Sequence, residues 1–223
     1  MKKLIKGTSC PGWHHRPNSM SHLPIVGVFF LVLIAVSGCN INFNPKPIPQ
    51  PFPSQGALPV SGFEHEYDPG LWNDGGLVQN STNCYAYILN RWFGFPLFHK
   101  LQPGELSGNP LSSASDIDVT RIIELTRQDA QFEGFYFEDV LPDDPCVAGS
   151  YKVALVVDPG VDYHWYRQNP DGTWSGKSGH TEATDLDASG NVIYDPRAAD
   201  RDYGFPNYTE FGGFYCVGDT AGN

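Results

Sequence analysis

Positive charge is what this chain has least of: 14 lysines and arginines stand against 25 aspartates and glutamates, a formal net charge of −11 at pH 7. That balance argues against nucleic acid as a partner, because binding it needs a basic footprint. The spacings of zinc sites, CxxC and HExxH, are missing, and His65, His99, His164 and His180 show no ligand spacing. No metal and no cofactor are expected. No internal repeat is present beyond a succession of hairpin signals. No apolar stretch reaches the roughly 18 residues that a membrane-crossing helix needs. The run from Pro24 to Val36 suits instead the core of an export signal, which takes about 7 to 15.

Val36-Ser37-Gly38-Cys39 follows that run directly. Small residues ahead of the cysteine leave the backbone open to a peptidase, and the tetrapeptide resembles the lipobox of bacterial lipoproteins, whose cysteine receives diacylglycerol. The resemblance implies that residues 1–38 are a lipoprotein signal peptide and that Cys39 carries lipid and joins the protein to the membrane of a bacterial cell envelope. Asn40, rather than Asp, after the cysteine implies the outer membrane where two membranes exist. The plainer alternative is a secretory signal with an incidental cysteine. Lys2, Lys3, Lys6 and Arg16 lie well ahead of Pro24, and initiation at Met20 would leave the signal with none of them. Residues 39–59 read as a spacer, since Pro45, Pro47, Pro49, Pro51, Pro53 and Pro59 lock φ and remove donors, which favours an extended path. Residues 60–223 then make one domain, long enough for a sizeable core and short for two.

Within that domain the pattern predicts a helix from Asn83 to Phe93, entered through Ser81, Thr82 or Asn83 and stopped by Gly94-Phe95-Pro96. A second helix is predicted from Ser115 to Ala130, with Ile117, Ile122, Ile123 and Leu125 mostly on one side and Ser115 and Asp118 at capping-box spacing. The remainder reads as β structure. Lys152 to Asp158 is a continuous β-branched run suited to a buried strand. Tyr163 to Gln168 follows, joined through Asn169-Pro170-Asp171-Gly172 to Thr173-Trp174-Ser175. A further hairpin turns at Ala188-Ser189-Gly190-Asn191, and a last strand covers Phe211 to Val217. Helix first and antiparallel sheet after is an α+β layout.

The main candidate for chemistry is Cys84 at a helix start, with His164 in a later strand. Free amides and the helix dipole favour thiolate, and a nearby imidazole can hold the ion pair and pass the proton on. The plain alternatives are a buried apolar cysteine or half of a disulfide, with His164 a strand residue beside Trp165. With Cys10 in the signal and Cys39 lipidated, Cys84, Cys146 and Cys216 remain. Pairing Cys146 with Cys216 would leave Cys84 free, as a nucleophile requires, and the other two pairings stay open.

Three segments, in order, resemble the papain-like superfamily in its NlpC/P60 and CHAP branches: Asn83-Cys84-Tyr85-Ala86-Tyr87, Leu101-Gln102-Pro103-Gly104-Glu105-Leu106, and His164-Trp165-Tyr166-Arg167 with its hairpin. The resemblance covers roughly residues 79–178. It implies a nucleophile helix packed on an antiparallel sheet, with Cys84 as nucleophile and His164 as acid–base. The second helix departs from that pattern as a helical insertion, a candidate lid. The strand after the hairpin has Gly176 where an orienting polar residue is expected, so His180 takes that role, with Asp185 and Asp187 as fallbacks. For the oxyanion the Cys84 amide is available at the helix start and Gln79 is expected to add a side-chain donor, with Asn80 or Tyr67 as alternatives.

The function implied is a membrane-anchored cysteine hydrolase cutting amide bonds in cell-wall peptide or protein. Two rivals remain: a noncatalytic surface-binding lipoprotein on the same fold, favoured by Gly176, and a transglutaminase-like acyl transferase. Asp185 to Gly190 begins like a calcium loop, but its twelfth position is Pro196 rather than a glutamate, and a hairpin turn explains the same residues. Trp165, Tyr166, Trp174, Phe211, Phe214 and Tyr215 are expected mostly in the core, with a minority available to stack on a sugar.

Overall fold

Strand alternation and a long apolar run build one six-stranded antiparallel sheet. The computed structural model describes residues 57–218; the expected signal, Cys39 and most of the spacer lie outside them. The strands are β1 (Tyr136–Asp139), β2 (Ser150–Asp158), β3 (Asp162–Gln168), β4 (Trp174–Lys177), β5 (Ala183–Thr184) and β6 (Glu210–Gly218), in the order β1-β6-β2-β3-β4-β5. The run predicted as a buried strand is β2, and all but its last residue are buried. Between Leu155 and Val156 its register with β6 shifts, leaving Gly212 unpaired; a Cβ there would meet the Leu155 side chain at 2.8 Å, so a glycine carries the bulge. The β3–β4 turn closes as expected, with Asn169 N–H donating to the Thr173 carbonyl and Gly172 at φ 83°.

One face of the sheet packs under helices. Helix α1 is Pro69–Trp72, α2 is Leu77–Ser81, α3 is Cys84–Ile88 and α4 is Val119–Glu133. Asn83 caps α3, its Oδ1 accepting from Ala86 N–H at 3.2 Å while its Nδ2 donates to the Leu101 carbonyl. The helix ends at Leu89, well before the predicted stop at Gly94, because Asn90 turns left-handed at φ 50° and asparagine tolerates that region better than most residues. All five residues of α3 are buried, whereas Trp92 and Phe93 beyond it are exposed. Helix α4 also differs from its predicted bounds. Asp118, not Ser115, is its cap and accepts from Arg121 N–H at 2.9 Å; Ser115 lies in a preceding 3-10 turn. Gly134 ends it in the left-handed conformation.

This helix is not a lid. Ile122, Leu125, Thr126, Asp129 and Ala130 are buried against the sheet layer. The Asp129 carboxylate, fully buried, accepts from Tyr85 Oη, Gly104 N–H and Ser107 N–H, each at 2.8 Å. It therefore ties α3 to the Leu101–Leu106 turn. Gly104 itself has φ 84° and leaves no room for a side chain, a Cβ there falling 2.1 Å from the Asn109 carbonyl oxygen.

The other face is covered by the segment 186–209, which has only isolated bridges. Leu58, Ala154, Val156, Tyr166, Trp174, Ile193, Tyr208 and Phe214 form its core, so Leu58, read as spacer, belongs to the fold. At the turn expected near Gly190, Leu186 bridges Val192, and the Asp187 carboxylate accepts the N–H groups of Ser189, Asn191 and Asp200. Strands β1 and β5 and helices α1 and α2 were not anticipated; all are five residues or shorter and too brief for a periodic signal.

Candidate functional site

Cys84, His164 and His180 line one cavity of about 590 Å³, together with Tyr163, Tyr203 and Tyr208. Capping by Asn83 sets Cys84 at the first turn of α3, and α3 packs on β3, which carries His164 opposite Val156 of β2. Strand alternation then sends the His164 side chain to the opposite face of the sheet from Tyr163 and Trp165. Tyr163 and Trp165 pack with Cys84 in the helix-side core, whereas Tyr166 belongs to the opposite core and His164 stacks edge-on to it at 4.8 Å.

The thiol of Cys84 donates to the Tyr163 carbonyl at 3.9 Å, so it sits beside the backbone that precedes the histidine. No hydrogen bond joins it to the imidazole among the described residues. Burial, with the nearby Asp162 charge adding to it, pushes the Cys84 pKa up to about 12; the N–H groups of Trp165 and Tyr85 oppose this without overcoming it. Burial pushes the His164 pKa down to about 4. At neutral pH the two groups are therefore a thiol and a neutral imidazole, and the stabilisation of a thiolate expected from the helix start is outweighed by desolvation.

Gly176 explains the position of the ring. It lies on β4 opposite Tyr166, and a Cβ there would fall 2.3 Å from His164 Nε2. The glycine found where an orienting residue was expected is thus the space that the imidazole fills. His180 does not supply the missing contact: its Nε2 donates to the His99 carbonyl at 3.2 Å, and its ring meets Phe98. Gln79 is engaged outside the cavity wall, its Oε1 accepting from Gly75 N–H and its Nε2 donating to the His180 carbonyl. The alternatives are occupied likewise, Asn80 Nδ2 donating to the Gly76 carbonyl and Tyr67 Oη to the Ala183 carbonyl. Asp187 belongs to the turn described above.

Residues without a periodic signal complete the site. Lys177, fully buried on β4, donates to the carbonyls of Gln79, Thr82 and Gly179 at 2.8 Å each, and burial lowers its pKa to about 8. It fastens the end of α2 to the loop that carries His180. Tyr208 Oη donates to Asp162 Oδ2 at 2.9 Å. Elsewhere, Cys146 and Cys216 form a disulfide and Cys84 is a free thiol, the expected pairing.

No family model matches this chain, and no solved structure matches it. It is similar to insoluble matrix shell protein 1 of Ruditapes philippinarum, with 34% identity over 161 residues, 70% of this chain and 91% of that one. This similarity overturns the reading of a lipid-anchored cysteine hydrolase in a bacterial envelope: the relative is a shell matrix protein of a mollusc. Lipidation and palmitoylation at Cys39, thiol-protease activity and an outer-membrane location fall with it. The lipobox resemblance rested on four residues after an apolar core, and such a core precedes the cleavage site of an ordinary secretory signal as well.

Proposed function

Because the chain belongs to the family of insoluble matrix shell protein 1, we propose that it is a noncatalytic structural component of an insoluble extracellular matrix. The identity spanning 91% of the relative carries this reading. On it, Pro24 to Val36 is the core of an ordinary export signal, and the Cys146–Cys216 disulfide suits an oxidising compartment.

The frame is papain-like on the same reading, a cysteine-initiated helix against an antiparallel sheet with a histidine strand beside it. Its chemistry has been lost to packing. Gly176 lets the His164 ring settle against β4, no hydrogen bond joins it to Cys84 among the described residues, and burial favours the protonated thiol. The test is sequential extraction of the source tissue with salt, detergent, and finally denaturant with reductant, followed by peptide mapping. The chain is expected in extracellular material that resists the first two steps. Recovery in the cytosol or in the detergent extract would overturn the proposal.

A further inference from the structure

The described residues hold two Asn-x-Ser/Thr sequences, Asn80-Ser81-Thr82 and Asn207-Tyr208-Thr209. Such triplets accept N-linked sugar in exported chains, and the fold treats the two very differently. Asn80 lies in α2. Its Nδ2 donates to the Gly76 carbonyl at 2.7 Å, its own carbonyl accepts from Phe98 N–H at 2.7 Å, and Thr82 is fully buried with its hydroxyl donating to Val78. A sugar there would compete with the bond that the side-chain amide makes to the Gly76 carbonyl.

Asn207 lies in the irregular segment that leads into β6. Its backbone is fixed, the N–H donating to Asp158 Oδ2 at 2.9 Å and the residue bridging Asp202. Its side-chain amide has no hydrogen-bond partner among the described residues, Thr209 is exposed, and so are Asp202 to Phe205 on the preceding side. We infer that Asn207 is an N-glycosylation site, and that Asn80 is not one in the folded protein. This rests on the proposed export of the chain. The donor is an oligosaccharide on a polyisoprenyl diphosphate, presented by a transferase of the export pathway. Asn207 Nδ2 attacks the anomeric carbon, the new N–C bond forms as the C–O bond to diphosphate breaks, the lipid diphosphate leaves with the electron pair, and the amide gives up one proton. Pro206 and Tyr208 line the cavity that holds Cys84, so the sugar stands at the margin of that cavity.

The full chain would be produced in animal cells and collected from the medium. Treatment with peptide-N-glycosidase in heavy-oxygen water, then peptide mapping, locates any glycan. One glycan is expected at Asn207, lost in Asn207→Gln and in Thr209→Ala, retained in Thr209→Ser and Asn80→Gln. A secreted, disulfide-bonded chain without sugar, or with its sugar at Asn80, overturns the inference and leaves export standing. A chain that folds but stays in the cytosol overturns export itself, and the inference with it.

Discussion

The two faces of the sheet are closed by different means. The helix side is sealed by α3 and α4, whose ends are capped by Asn83, Asp118 and Gly134 and whose apolar faces bury together. The opposite side is sealed by residues 186–209 with no helix and only isolated bridges, so aspartate carboxylates take up backbone N–H groups that secondary structure would otherwise satisfy. Each face has a carboxylate that accepts several donors: Asp129, fully buried, takes three on the helix side, and Asp187, half-buried, takes four on the loop side. The comparison teaches that a depth difference, rather than a bond count, decides how much such a residue contributes. It also shows that Cys84 and His164, although they line one cavity, pack against different layers, Cys84 in the helix-side core and His164 against Tyr166 of the opposite one.

The sharpest way to break the comparison is Asp129→Ala. It strips Tyr85 Oη and Gly104 N–H of their acceptor in the interior and Ser107 N–H of its acceptor at the edge, and at roughly 1–3 kcal/mol for each buried donor left unmade the expected loss is about 3 kcal/mol. Urea unfolding followed by tryptophan fluorescence measures it. A loss under about 1 kcal/mol would mean that α4 is not the clamp described above.

The loop side is expected to be acid-sensitive through His164. Its pKa falls from 6.5 unfolded to about 4 folded, so between these values the unfolded chain binds the proton more readily and stability drops as pH falls. At 1.36 kcal/mol per unit the drop approaches ~3 kcal/mol. In His164→Gln this part of the pH dependence should disappear; an unchanged profile would assign the sensitivity elsewhere.

Gly176→Ala tests the packing of the ring on β4. Overfilling of this kind costs roughly 1–3 kcal/mol, and in the double variant with His164→Ala the two effects should fall short of additivity, because the clash requires the ring. Additive effects would show that the ring and the glycine are independent. The smallest change is expected for Asp187→Ala, about 1 kcal/mol, since water can reach the Ser189 and Asn191 amides once the carboxylate is gone.

Much of the sheet was legible because its signals are local. Lys152 to Asp158 is apolar without interruption, Asn169 to Gly172 carries turn chemistry, and Asn83 caps the helix it precedes. The α+β class followed from such features, whereas cysteine arithmetic left three pairings open and the structure selected Cys146–Cys216. Beyond its turn near Gly190, segment 186–209 was illegible for the opposite reason: its order comes from carboxylates that meet amides far along the chain, as Asp158 meets Asn207 and Asp187 meets Asp200. The shell-matrix relationship was not written in any motif at all.

By itself the sequence determined the longer strands, the turn at Asn169–Gly172 and the start of α3, because those depend on neighbours a few residues away. Whether Cys84 ionises, which face His164 joins, and that Gly176 is a seat for an imidazole were decided only by the tertiary structure. The same holds for Asn80 and Asn207, which both open an Asn-x-Thr triplet and differ in the contacts that the fold gives their side chains. The physical reason is common to all: pKa, accessibility and contact depend on desolvation, and desolvation is set by parts of the chain that the local sequence does not contain.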